Sequence, residues 1–292
     1  MRESPWLREI RALDPERDCR RIVFLDSFLE FPWDTTRSLE LAFFKTFAVP
    51  SIAELLGSTG EFTQRGQKRY DDTDLLISAF SEDGWADGPG RRALRRMNQI
   101  HGRFSIANVD YLYVLSAMVL EPIRWNERFG WRWWIEAERL AQFHFWREVG
   151  RRMAIREIPE SLQELERVNA EVERTRFAPT DAGKRLARAQ QDVFLAWFPW
   201  LPKRLGARAI AALLDEHVVE ALDLVRPTRA ERRAVELALR LRARAVRHLP
   251  PRRRPRLRLR TTMRRRSYPS GYAIEELGPP PAGTRASAGT ID

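Results

Sequence analysis

The stretch that decides the fold runs from Arg91 to Arg132 and reads RRALRRMNQIHGRF, then SIANVDYLYVLSAMVLEPIRW, then NERFGWR. In its first part Leu94, Met97, His101 and Phe104 recur three and four residues apart, which predicts a helix whose apolar stripe carries one histidine. A polar break follows, with Asn108 placed as an N-cap. From Val109 to Leu120 the chain is apolar almost all round, so this second helix is expected to be buried on every side. Pro122 is expected to close it, because proline disfavours helical geometry in the residue before it.

Outward from this stretch the same periodicity continues. Helices are expected over 16–30, over Leu39–Val49 up to Pro50, and over Ser51–Leu56 up to Gly57. Residues 57–68 read as loop, Tyr70–Phe80 as helix, and Gly84–Gly90 as a second loop. Further helices are expected over Glu136–Met153, Glu160–Thr175, Asp181–Trp197, Ala207–Val219 and Arg229–Val246. No segment alternates strictly with β-branched residues. The expectation is a mainly α protein: a single helical domain of about ten helices over residues 1–248. An Arg/Pro-rich tail over 249–292 would follow, its last 25 or so residues disordered.

Composition narrows the class. Cys19 is the only cysteine, which excludes an intramolecular disulfide and any C-x-x-C motif. The N-terminal MRESPWLREIRALDPERD lacks the apolar core of a signal peptide. The longest apolar run, Tyr111–Leu120, is about half of what a membrane span needs. The expected setting is therefore cytoplasmic or peripheral to a membrane. The net charge of +11 has one source: Arg240–Arg266 holds thirteen arginines and no acidic residue, so the rest of the chain sums to −2. That run suits an anionic membrane surface. It has no Phe, Trp or Tyr to stack on bases, which disfavours single-stranded nucleic acid.

The four histidines are His101, His144, His217 and His248. A histidine on an apolar stripe is more often a satisfied core residue than a ligand, and His101 stays open between the two. His144 and Glu148 have i, i+4 spacing, suited to fixing an imidazole tautomer or to an ordinary surface pair. No histidine has a glutamate three residues before it, and no H-E-x-x-H, G-x-S-x-G, P-loop or dinucleotide fingerprint occurs. The aromatic run Trp125, Phe129, Trp131, Trp133, Trp134, Phe143, Phe145, Trp146 reads either as core or as the lining of an apolar pocket. Periodicity and composition alone stop at an α-helical domain with one notable histidine, with a lipophile-binding module and an anionic-surface or nucleic-acid-binding protein open as non-catalytic readings.

Several motifs carry a family resemblance. KRYDDTDLLI (68–77), RRALRRMNQIHGRF (91–104) and IANVDYLYVLSAMVLEPIRW (106–125) resemble the family that contains the ER-bound oxygenase MpaB and the rubber oxygenases, or latex clearing proteins. FHFWREVGRRMAI (143–155), FLAWFP (194–199), LPPRRRPRLR (249–258) and SYPSGYAIEELGP (267–279) resemble its bacterial MpaB-like branch. The resemblance implies a mainly α oxidoreductase that cleaves or oxidises a C=C bond of a lipophilic, isoprenoid substrate with dioxygen. It implies haem b as the cofactor, held through iron by His101. It places Arg69 and Thr73 at the haem edge, on the positions of an Arg-x-x-Lys-Thr element in which Asp72 stands where the rubber oxygenases have lysine. Arg69, Arg103 and Arg124 are the cations that the resemblance, with their nearness to the motif, offers to haem propionates.

Overall fold

Among the described residues, which in this computed structural model are 3–261 and 266–279, there are twelve helices of seven residues or more and no strand. In chain order they are α1 (Pro5–Arg11), α2 (Cys19–Leu25), a π-helical turn (Asp26–Glu30), α3 (Pro32–Phe47), α4 (Pro50–Ser58), α5 (Glu61–Gln64), α6 (Gly66–Asp83), α7 (Gly88–His101) and α8 (Asn108–Phe129). There follow α9 (Glu136–Arg152), α10 (Leu162–Arg176), α11 (Asp181–Leu195), α12 (Lys203–Leu213), α13 (Glu216–Ala221), α14 (Arg229–Arg247), α15 (Arg258–Thr261) and a 3-10 turn (Ile274–Glu276). The mainly α expectation holds, with a few more helices than anticipated. The 57–68 loop contains α5, and the expected 207–219 helix divides where Leu214 and Asp215 are extended.

Local chemistry explains most boundaries. Pro5, Pro32 and Pro50 each open a helix, where the missing N–H costs nothing and φ is already set. Ser161 and Thr180 cap α10 and α11 by accepting from the N–H groups of Glu164 and Gly183. Thr228 and Glu231 form a capping box that starts α14.

Pro122 does not end the buried helix. α8 continues to Phe129 with Pro122 inside it. An interior proline removes the N–H that would satisfy the carbonyl four residues earlier, here that of Met118. The side-chain amide of Gln142 on α9 donates to that carbonyl at 3.1 Å, so the buried group has a partner and the helix persists. Asn108 is likewise not an N-cap. It is the first residue of α8, and its amide brackets the backbone of Arg156 with two 2.9 Å bonds.

The chain divides into two compact units. One comprises residues up to 66 together with 106–257. Here α8 packs against α3, α9 and α10, and Phe44, Phe47, Tyr113, Phe129, Phe143 and Phe145 are fully buried. Each such side chain contributes about 1.5–3 kcal/mol of burial. Residues 249–257 belong to this unit: the Trp6 indole donates to the Arg252 carbonyl and the Arg256 N–H to the Phe28 carbonyl, both at 2.8 Å. The second unit comprises 67–105 with 258–261 and 266–279. Its core is Leu75, Leu76, Ala79, Ala93, Ile274 and Leu277. The units thus follow packing and not a cut after residue 248. The disorder expected of the last 25 or so residues does not hold over 268–279, where Tyr268, Ile274 and Leu277 pack into the second unit's core because their apolar surface finds α6 and α7; 280–292 lie outside the described residues. Among the described residues no helix is long and apolar enough to cross a membrane.

Candidate functional site

The second unit brings Arg69, Thr73, His101 and Arg103 together. Arg69 and Thr73 lie one turn apart on α6, and their side chains bond each other. The Thr73 hydroxyl also donates to the Arg69 carbonyl at 3.0 Å. His101 is the last residue of α7 and partly buried. Its pKa is lowered to about 4, because burial penalises the imidazolium and the Arg69 cation repels it. At neutral pH the ring is therefore an uncharged imidazole, the form that binds a metal. Gly102 follows it as an exposed C-terminal cap.

Asp72 does not face solvent as a simple loss of the family lysine would suggest. It is buried, accepts from Lys68 one turn earlier at 2.8 Å, and accepts from the Tyr268 hydroxyl. Burial and this bond push the Tyr268 phenol well above its ordinary pKa. Asp71 accepts from the Ser267 hydroxyl at 2.7 Å and from its N–H at 3.3 Å. Lys68 reaches the Gly278 carbonyl at 3.1 Å, and Arg96 the Leu277 carbonyl at 2.7 Å. The acidic pair thus anchors residues 267–278 onto α6, beside the histidine helix α7. Arg103, the exposed cation next to the cap, donates to the Pro279 carbonyl at 3.1 Å.

Arg124 belongs to the other unit. It bonds Glu121 at 2.7 Å and Asn169 at 2.8 Å, with Glu173 at 3.5 Å. Beside it lies a buried cluster that periodicity did not bring out: Lys45 contacts Asp215 at 2.8 Å, Glu121 at 2.9 Å and Glu173 at 3.3 Å. Burial opposes the Lys45 charge, but Glu121 and Glu173 more than offset it and raise its pKa. A second cluster sets Arg132 against Glu30 and Glu138 at 3.0 and 2.6 Å, with Asp26 at 3.9 Å. The available signal was a lone charge inside an apolar helix, as at Lys45 and Glu121.

The other histidines divide differently. Glu148 pairs with Arg151 and Arg152, while His144 faces Glu16 at 3.7 Å, so the i, i+4 pair is not formed. His217 lies 3.3 Å from Glu173 and against the Phe177 ring, on the wall of a cleft of about 640 Å³. His248 is exposed. Of the aromatic run, Trp125, Phe129, Phe143, Phe145 and Trp146 are core, whereas Trp133 is 79% exposed. Among the described residues no three His, Cys, Asp or Glu side chains cluster as a metal centre. What the site offers is one uncharged imidazole, His101, a donor suited to a group that carries its own remaining ligands.

A family model described as the catalytic domain of ER-bound oxygenase mpaB/B' and rubber oxygenase matches residues 48–248, a span that includes Arg69, Thr73 and His101. The chain is 26% identical over 212 residues to the ER-bound oxygenase mpaB' of Penicillium brevicompactum, covering 66% of this chain and 50% of that protein. It is 32% identical over 133 residues to the ER-bound oxygenase mpaB of the same organism, covering 44% and 34%. With the ER-bound oxygenase mpaB of Penicillium roqueforti it shares 25% over 233 residues, covering 74% and 78%. The chain thus spans half or less of the first two relatives.

Proposed function

The chain belongs to the catalytic-domain family of ER-bound oxygenase mpaB/B' and rubber oxygenase, and on that premise we propose that it is a haem-dependent oxygenase. Its reaction is the cleavage or oxidation of a C=C bond in an apolar, isoprenoid substrate with dioxygen. One observation carries the reading: within the matched span the fold sets an uncharged imidazole, His101, beside the Arg69 guanidinium. Haem b, when bound, supplies the dioxygen chemistry.

This chain's residues supply the rest. His101 would hold the haem iron, and its lowered pKa keeps protons from competing for the ring nitrogen. Arg69, its orientation fixed by Thr73, would pair a propionate or orient dioxygen. Arg103 is a further cation of the same unit. Arg124 is already neutralised by Glu121 and Glu173, so we give it a structural part. A substrate of this kind dissolves in lipid, and the run Arg240–Arg266 would hold the chain at an anionic membrane surface.

Haemin titration of the purified chain, read by the Soret band and the pyridine haemochrome, tests the assignment. His101→Ala is expected to lose the Soret band while keeping its helical circular dichroism. Stoichiometric haem with an unchanged spectrum in that variant would sink the ligand assignment. Arg69→Ala is expected to weaken haem retention or turnover, and oxygen uptake with a short polyprenyl substrate checks the reaction class.

A further inference from the structure

In the first unit α14 leaves one face uncovered. Along that face Arg233, Leu237 and Leu241 follow at intervals of four, and Arg240 and Arg244 form the adjoining row. Leu237 and Leu241 are 56% and 51% exposed, and the three arginines are exposed around them. The helix as a whole has seven arginines against two glutamates, Glu231 and Glu236. Both acids already have partners: Glu231 pairs with Arg208, and Glu236 lies near Arg128 and Arg240.

A second exposed element is tied to the same side. Between α11 and α12 the chain runs Phe198-Pro199-Trp200-Leu201-Pro202-Lys203-Arg204-Leu205. Trp200 is 76% exposed with its edge against Phe198, and Lys203, Arg204 and Leu205 are exposed after it. A cation–π ladder joins the two elements. Arg37 sits over Trp197 at 5.9 Å and over Trp33 at 6.0 Å, and Arg242 of α14 sits over the other part of the ladder, Trp33, at 3.9 Å. Arg242 is also locked to Asp34 by bonds of 2.7 and 3.1 Å.

We infer that the outer face of α14 and the Phe198–Leu205 loop together form a docking surface for an anionic lipid bilayer. The inference deepens the peripheral association proposed above, on which it rests, by assigning it to a folded helix face and an aromatic loop. The chemistry favours lipid. Leucine between arginines suits the boundary of acyl chains and charged headgroups, and an exposed indole suits the same depth. A second copy of this chain would bring the same arginines face to face, which charge disfavours. Nucleic acid would meet the arginines but would gain nothing from Leu237 and Leu241.

The test is co-sedimentation of the full chain with vesicles of phosphatidylglycerol and phosphatidylcholine in equal parts, against phosphatidylcholine alone. Binding is expected to need the anionic lipid and to weaken with salt. Replacing Arg233, Arg240 and Arg244 by Gln is expected to lower partitioning about fivefold per residue. Trp200→Ala, and Leu237→Gln with Leu241→Gln, should each lower it several-fold. Trp200→Ala is in an exposed loop, so it keeps the test valid if the leucine pair perturbs folding. Replacing Arg252, Arg253 and Arg254 by Gln is the comparison. Loss confined to that comparison variant would leave the arginine-rich tail as the docking element and overturn the assignment to α14. Equal binding to neutral vesicles, binding to duplex DNA in place of vesicles, or self-association through this face would overturn it as well. The measurement needs neither haem nor substrate, so failed turnover and failed docking are separate results.

Discussion

Arg132 is the residue whose replacement should most disturb the first unit. Its guanidinium donates to Glu30 at 3.0 Å and to both oxygens of Glu138 at 2.6 and 2.8 Å. It lies over the rings of Phe31 and Trp131 at 4.8 and 5.5 Å. Glu30, Glu138 and Asp26 are all buried, and the Ile135 N–H and Ser4 hydroxyl complete the partners of Glu138 and Glu30. Each charge-assisted bond contributes about 1.5–3 kcal/mol, and removing one partner of a buried ion pair costs about 3–5 kcal/mol. Arg132→Met should therefore lose about 4 kcal/mol, lowering the melting temperature by about 10 °C.

The loss should depend on pH. Burial, then the charge of Glu138, raises the Asp26 carboxyl well above its ordinary value of 3.8. A raised carboxyl keeps its proton in the folded state where the unfolded chain has released it, so stability falls as the pH rises above about 4. Without Arg132 the ionised carboxylates lose their cation, so the variant should be hurt more at pH 8 than at pH 5. Denaturant unfolding at both pH values is the assay. A difference from the natural chain below about 1 kcal/mol at pH 8, or the same difference at both, would refute the reasoning.

Other outcomes follow from single contacts. Gln142→Leu leaves the Met118 carbonyl beside Pro122 without its donor and should cost about 1–3 kcal/mol in denaturant unfolding. Gly90→Ala drives a Cβ into the Gly84 carbonyl oxygen, at the corner between α6 and α7. Amide exchange in 67–105 should rise sharply in that variant; unchanged protection would mean the corner yields freely. Tyr268→Phe removes a donor from the buried Asp72 and should cost about 1–3 kcal/mol, seen as faster exchange in α6. Asn169→Leu breaks bonds to both Arg124 and Ser116 and should cost more in denaturant unfolding than a surface substitution.

The sequence by itself determined the helical class, because apolar residues at intervals of three and four leave few other ways to bury them. It determined most helix starts, since Pro50, Ser161, Thr180 and the Thr228–Glu231 pair act on neighbouring backbone. It also singled out His101, Arg69 and Thr73, through spacing and family motif. Contacts between distant residues decided the rest. Pro122 reads as a stop because its missing bond is local, while Gln142, which replaces that bond, comes from another helix. Asp72 reads as a lost cation because Lys68 and Tyr268, which balance it, are set by the packing of 267–278. The ion pairs of Lys45 and Arg132 are not legible along the chain, because their carboxylate partners lie in other elements. Local chemistry acts over a few residues and is written in order along the chain. The charge and hydrogen-bond balance of a buried group closes only when distant segments meet, and that is what the tertiary structure decided.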